Sequence, residues 1–152
     1  MVPERIEREI LIDAPLEVVW SVVTEPEHIS GWFSESIEID LRPGGEAVFG
    51  WEGNPTGRAR IEKVERPHRF SFRWIRRTGA EPREGDSTLV EFSLTAEGEG
   101  TRLRVVESGF PELDWSQDEK VRYASENEQG WQRELEELRE YVSKRVSGST
   151  RR

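Results

Sequence analysis

One long amphipathic segment near the end of the chain strongly limits the folds that this sequence can adopt. Between Asp118 and Arg145, one stripe recurs alternately three and four positions apart: Val121, Ala124, Glu128, Trp131, Leu135, Leu138 and Val142. This spacing predicts a helix with one apolar face. Gly130 lies inside the segment, but one glycine costs a helix only about 1 kcal/mol. Because the apolar face is single, the helix must lie against one other surface.

The part of the chain before this helix follows a different period. From residue 37 to 110, apolar and polar side chains alternate, and turn signals such as Pro43-Gly44-Gly45 separate the runs. This pattern predicts six strands joined by hairpins. Arg5–Ile12 predicts one more strand, and Asp13-Ala14-Pro15 and Thr24-Glu25-Pro26-Glu27 predict the starts of two short helices. The sequence therefore predicts an α+β fold in which a curled antiparallel sheet of about seven strands wraps around the long helix.

Length and composition favour one domain. A chain of 152 residues can bury roughly 70% of the surface that its unfolded form exposes. Since 34% of the residues are hydrophobic and 35% are charged, the core must come from the patterned segments. We predict a single domain over residues 5–146, followed by a flexible polar tail over residues 147–152.

Charge and motif content exclude several classes of function. The net charge of -9 argues against nucleic acid and against anionic membranes as partners. The chain has neither a spanning apolar run nor a signal peptide pattern, so we expect a cytoplasmic protein. It has no cysteine, and His28 and His68 do not lie at a metal-ligand spacing, so neither a metal nor a cofactor is predicted.

Several motifs carry a family resemblance. The string from Ile10 to Pro15, followed by Val18-Val19-Trp20, resembles the opening of the SRPBCC superfamily of START-like helix-grip proteins. The AHSA-type branch, the homologues of the activator of heat-shock protein 90 ATPase, is similar in a further set of motifs that extends the match from Arg5 to Val142: Trp32-Phe33, Pro43-Gly44-Gly45, Gly100-Thr101-Arg102-Leu103, Glu107-Ser108-Gly109-Phe110 and Gly130-Trp131. The resemblance implies a helix-grip fold, and its members include lipid carriers, polyketide cyclases and stress-associated domains.

Two carboxylates are the candidate polar groups of the interior. Glu107 follows Leu103 and Val105 at period two, so we expect it on the same inward face. Burial would raise its pKa and suit it to general acid or base chemistry; the alternative is a solvated residue at the strand end. Desolvation alone predicts that Glu107→Gln is neutral or stabilising at neutral pH. Glu128 interrupts the helix stripe, but a small rotation would turn its neighbour Asn127 inward instead.

Aromatic residues are the candidate walls of a ligand pocket. They recur at strand and helix spacing at Trp51, Phe72, Trp74, Phe92 and Trp131. Such rings form either a filled core or an aromatic cavity. Arg8, Arg73 and Arg76 are possible partners for a buried carboxylate or for an acidic ligand, or else solvated surface charges.

These observations support two functional hypotheses. The preferred one is a non-enzymatic module, with stress response as its candidate context, that holds a small apolar or amphipathic ligand, or that contacts a chaperone or client protein, as a monomer or homodimer. The rival is a cofactor-free enzyme of the cyclase or hydrolase kind, in which Glu107 or Glu128 acts as general acid or base. An open cavity with converging polar groups would favour the enzyme, and a filled core would favour the binding module.

Overall fold

The computed structural model describes residues 2–34, 36–50, 57–75 and 87–150. Within these ranges ten elements follow one another: β1 (Arg5–Ile12), α1 (Leu16–Thr24), α2 (Pro26–Trp32), β2 (Ser36–Ile39), β3 (Glu46–Gly50), β4 (Gly57–Glu65), β5 (Arg69–Ile75), β6 (Thr88–Glu97), β7 (Gly100–Ser108) and α3 (Gln117–Thr150). The predicted order of one strand, two short helices, six strands and a long helix is confirmed. Trp51 and Arg76 lie outside the described residues.

All seven strands form one antiparallel sheet in the order β1-β7-β6-β5-β4-β3-β2. The hairpins from β2 to β7 place consecutive strands side by side, and β1 joins the sheet beside β7. In this register Ile6 of β1 and Val90 of β6 flank Glu107 of β7. The helix-grip prediction is confirmed, because the sheet curls and its inner face packs against α3 and the two short helices.

The long helix is unbroken through Gly130, as predicted. Its buried stripe is turned slightly from the predicted one, since Val121 is 37% exposed whereas Tyr123 and Asn127 are buried. Trp131, Leu135, Leu138 and Val142 lie in the core as expected. The helix reaches Thr150, beyond the predicted domain end at residue 146, and the flexibility of the tail stays a prediction. No described helix has the length and apolar character needed to span a bilayer.

The start of the second helix differs from the prediction. Thr24 is the last residue of α1, where its hydroxyl donates to the Trp20 carbonyl at 2.7 Å. Glu25 is the N-cap of α2, and no side chain caps that end. The predicted capping box at Thr24 is therefore wrong, because the threonine hydroxyl is already bonded within the preceding helix.

Candidate functional site

Glu107 lies at the centre of the interior. Alternation along β7 turns it to the same face as Leu103 and Val105, and all three side chains are buried, with Glu107 0% exposed. The inward prediction is confirmed. A buried charge without partners is strongly destabilising, so a carboxylate at this position requires hydrogen-bond donors around it.

Four side chains from three elements supply those donors. Oε2 of Glu107 accepts from Trp74 Nε1 at 3.0 Å, Thr88 Oγ1 at 2.5 Å and Asn127 Nδ2 at 2.9 Å. Oε1 accepts from Trp131 Nε1 at 2.9 Å. Trp74 lies on β5, Thr88 on β6, and Asn127 and Trp131 on α3. We call these five residues the Glu107 cluster; it ties the long helix to the middle of the sheet.

The protonation of Glu107 reflects two opposing effects. Burial disfavours the charged form and raises the pKa of Glu107 above its usual value of 4.5. The hydrogen bonds from Thr88, Trp131, Trp74 and Asn127 pull the pKa back down, without cancelling the effect of burial. Of these groups, the Thr88 hydroxyl can turn to accept a hydrogen bond from the O–H of the neutral acid, whereas an indole N–H can only donate. The carboxyl group can therefore change its charge while keeping its neighbours.

The aromatic side chains pack on the other side of Trp131. Its ring stacks on Phe33 at 5.8 Å and 7°, and it meets Phe92 edge to face at 5.7 Å. Trp74 lies 5.6 Å from Trp131 and 5.5 Å from Phe72. Four of the predicted pocket residues are thus brought together and buried, at Phe72, Trp74, Phe92 and Trp131. Phe33, which the sequence analysis names only within the Trp32-Phe33 motif, lies in the middle of this group.

An apolar cavity remains beside these rings. It has a volume of about 20 Å³ and is lined by Val23, Ile29, Trp32, Phe33, Ile39, Phe49, Phe70, Phe72, Phe92 and Trp131. This volume is close to the minimum that holds one water molecule. Every described lining residue is apolar apart from the indole nitrogens, and Glu107 is not among them. The interior therefore separates a polar cluster, which is fully hydrogen-bonded, from an aromatic cavity, which is almost filled.

Helix α2 covers the cavity and contacts α3 closely at Tyr141. A Cβ atom at Gly31 would overlap the Tyr141 ring, so the two helices meet in close contact there. His28 Nδ1 lies 2.8 Å from the Tyr141 hydroxyl. We call this contact of Gly31 and His28 with Tyr141 the α2 latch. Ile29, Trp32 and Phe33, which α2 and its end contribute, form one wall of the cavity.

The remaining charged candidates among the described residues do not contact the Glu107 cluster. Glu128 is half-buried, and its Oε2 is 3.5 Å from Arg8 Nη2, while Asn127 takes the inward position. The alternative of a slightly rotated helix is therefore the correct one. Glu25, Glu27 and His28 place possible metal-ligand atoms within 4.8 Å of one another. Glu25 and His28 are half-buried and Glu27 is exposed, and nothing else in the described part of the chain indicates an ion there.

Asn127 is the residue that sequence reasoning left undecided between two positions. The apolar stripe fits Glu128 and Asn127 almost equally, since the two differ by one position on the helix. The available signal was chemical: an amide can donate to a buried carboxylate, whereas a second carboxylate would repel it.

The fold and the interior define a helix-grip domain with a fully bonded buried carboxylate and an aromatic cavity. The model of the family described as "Activator of Hsp90 ATPase homolog 1-like protein" matches residues 13–143, and the chain belongs to that family. The resemblance noted in the motifs is thereby confirmed. No curated protein matches the sequence.

Solved structures share the fold. DynU16, a protein of the dynemicin biosynthetic locus, is 22% identical with a TM-score of 0.75; the match covers 93% of this chain and 48% of that one, so this chain spans about half of DynU16. CalU16 from Micromonospora echinospora is 28% identical with a TM-score of 0.69 over 94% of this chain and 78% of that one. The Aha1 dimer of Colwellia psychrerythraea is 17% identical with a TM-score of 0.74 over 91% and 95%.

Proposed function

We propose that this protein is a non-catalytic, cytoplasmic binding domain that takes a small apolar ligand into the aromatic cavity beneath α2. The observation that carries the proposal is the division of the interior. The cavity wall is made of aromatic and aliphatic side chains, whereas the buried carboxylate already holds four donors. Apolar walls favour an apolar ligand because its transfer from water releases about 25 cal/mol for each Å² buried.

Ligand entry requires movement of α2. The present cavity of about 20 Å³ is far smaller than the 300 to 1,000 Å³, roughly, of a drug-sized site. Phe33 ends α2 and fills the space between Trp131 and Phe49, whose ring it meets at 5.3 Å. Release of the α2 latch would withdraw Phe33 and enlarge the cavity at once. A ligand ring could then replace the Phe33 ring against Trp131, with little change in aromatic contact area.

The rival function is a cofactor-free cyclase or hydrolase. Glu107 is the candidate acid or base, but a substrate would have to displace at least one of its four donors to reach it. Trp74 and Trp131 are held by ring contacts as well as by these hydrogen bonds, so displacement would disturb the aromatic core too. This geometry favours binding over catalysis.

The name of the family supports a second candidate, a contact with a chaperone or with its client. The matching family is described by activation of an Hsp90 ATPase, and an acidic protein with a net charge of -9 steers towards basic partner surfaces. Addition of this chain to an Hsp90-type chaperone should then raise its ATPase rate. An unchanged rate would leave the small-ligand function alone.

Native mass spectrometry of the purified protein tests the main proposal directly. A co-purified small molecule would appear as a mass shift, and the same spectrum would show any homodimer. Titration with ANS, an amphipathic naphthalene dye, tests the apoprotein: we expect saturable binding of one dye and quenching of tryptophan emission, because Trp32 and Trp131 line the cavity. Absence of both a bound molecule and saturable dye binding would contradict the proposal.

A matched pair of variants locates the dye. Phe33→Leu removes the stacked ring and enlarges the cavity, so it should tighten ANS binding. Phe110→Leu removes another buried ring, which packs on Tyr123 and does not line the cavity, and should leave binding unchanged. Equal effects of the two variants would indicate general loosening of the core instead of a site beneath α2.

A further inference from the structure

Strand β1 forms one edge of the sheet. Among the described strands it pairs with β7 alone. In this register, and with Gly109 N donating to Glu4 O at 3.4 Å just beyond the strand, the even-numbered residues of β1 bond to β7. The N–H and C=O groups of Glu9 and Leu11 therefore point away from β7. Within the described ranges no backbone group accepts from them or donates to them.

A groove runs along this free edge, between β1 and α3. Two adjoining hollows of about 420 Å³ and 540 Å³ share Glu136 and Arg139. Its apolar lining includes Ile10 and Leu135 in one hollow and Leu11 in the other, and Leu11 is 45% exposed. A groove with an apolar lining and a row of free backbone groups matches the requirements of an added strand.

The charged residues that line the groove indicate which kind of added strand would bind there. The hollow beside Leu11 contains the carboxylates of Asp13, Glu136 and Glu140 and one cation, Arg139, which gives a formal balance of three negative charges against one positive. The other hollow contains two cations and two carboxylates. The end of the groove near Asp13 is therefore acidic, and it lies in a protein whose net charge is -9.

We propose that the second half of β1 is a docking site for an extended peptide whose apolar residues alternate with basic ones. The peptide would pair with the outward backbone groups of Glu9 and Leu11 as an eighth strand. Its apolar side chains would cover Ile10 and Leu135, and a Lys or Arg side chain would lie near Asp13 and Glu136. Charged side chains disfavour the pairing of an edge strand with another chain. The first half of β1 carries Arg5, Glu7 and Arg8, so docking is confined to the second half. The site is separate from the cavity beneath α2.

Two synthetic peptides of matched β propensity test the charge selection: acetyl-Val-Lys-Val-Lys-Val-amide and its counterpart with Glu in place of Lys. Backbone amide NMR on the full chain should show saturable shifts of Glu9 and Leu11 with the Lys peptide, and slower hydrogen exchange of both amides. Exposed ion pairs contribute up to about 1 kcal/mol each. We therefore expect the Glu peptide to bind at least roughly fivefold more weakly than the Lys peptide. No saturable shift at β1, or equal binding of both peptides, would overturn the proposal.

Variants of this protein distinguish docking of the Lys peptide in the groove from its general attraction to the acidic surface. Glu136→Gln should weaken the Lys peptide by roughly two- to fivefold, whereas Glu137→Gln, its exposed neighbour outside the groove, should not. Equal weakening by both would overturn the site. Leu11→Pro removes the outward N–H but no bond to β7, as edge strands tolerate, and should reduce binding roughly three- to tenfold. Leu11→Thr keeps the N–H and should retain peptide binding. If Leu11→Pro proves unfolded, the comparison of Glu136→Gln with Glu137→Gln still tests the docking site.

Discussion

The two sides of Trp131 lie in different environments, and the difference separates what is fixed in this protein from what can move. The indole N–H points into the Glu107 cluster, where each contact has a defined direction and length. The ring faces Phe33 and the aromatic cavity, where contacts depend mainly on area. Hydrogen-bonded groups in the interior cannot exchange partners without losing about 1 to 3 kcal/mol each, whereas one aromatic surface can replace another. The cluster is therefore the anchor of α3, and the cavity beneath α2 is the adaptable region.

The largest expected effect comes from removing the residue that both regions share. Trp131→Ala deletes a buried ring and one of the four donors to Glu107, so we expect a loss of roughly 3 to 5 kcal/mol in unfolding free energy. Denaturant unfolding measures it. A loss below about 1 kcal/mol would mean that the ring faces open space, and the two regions would then not be joined through this side chain.

Glu107→Gln tests the polar side alone. An amide can turn its oxygen towards Trp74, Thr88 and Asn127, but its NH₂ group then faces the Trp131 N–H, and two donors oppose each other. We expect a loss of roughly 1 to 3 kcal/mol at acidic pH. Desolvation alone predicts a neutral or stabilising substitution at neutral pH; at acidic pH we expect the four donors to make the substitution destabilising.

The same substitution gives a pH dependence of defined sign. Because the folded pKa of Glu107 is raised above 4.5, the stability that its neutral form contributes is fully present below the unfolded pKa and is lost as pH rises through the folded pKa. The deficit of Glu107→Gln relative to the wild type should therefore shrink as pH rises. Denaturant unfolding of both proteins between about pH 4 and 8 measures the difference, from which the other titrating groups cancel. A difference independent of pH would contradict the raised pKa.

Tyr141→Phe tests the apolar side through the α2 latch. The substitution removes the hydroxyl that lies 2.8 Å from His28 Nδ1 but keeps the ring against Gly31. We expect a loss of about 1 kcal/mol and faster hydrogen exchange in α2, with unchanged exchange in β7. Tyr123→Phe, on the same helix but packed against Phe110 and Trp115, is the control and should leave α2 unchanged. Faster exchange in both regions would mean that α2 does not open by itself.

The smallest effect is expected at Glu128, the second carboxylate of the predicted pair. Its contact with Arg8 is 3.5 Å long and both side chains are partly exposed, at 42% and 36%, so Glu128→Gln should change stability by less than about 0.5 kcal/mol. Thermal unfolding of Glu128→Gln and Glu107→Gln under the same conditions compares the two losses of stability. If the two substitutions had equal effects, burial would not be what distinguishes the two carboxylates.

Much of the fold could be predicted from the sequence because periodicity is a local property. β1 begins and ends at the predicted residues, Arg5 and Ile12, and α3 runs through Gly130 without a break. The start of α2 could not be placed correctly, since the Thr24 hydroxyl had two possible partners and only the packed helix shows that it bonds to Trp20.

Only part of the candidate site could be predicted, because some of its residues depend on contacts between distant parts of the chain. The inward face of Glu107 follows from alternation along one strand. The choice between Asn127 and Glu128 depends on a rotation of α3 about its axis, which the sheet determines. The role of Phe33 could not be predicted, because its stacking partner Trp131 lies far along the chain.

The sequence by itself determined the order of elements, the long helix with one apolar face, and the presence of a carboxylate among the inward residues of β7. Each of these depends on spacing between near neighbours, which the backbone geometry of helices and strands converts directly into a shared face. Only the tertiary structure decided which donors surround that carboxylate, how far the aromatic rings fill the interior, and how α2 meets Tyr141. These depend on distances between residues remote in sequence, and they arise only when the sheet curls around α3 and its rotation is set by packing.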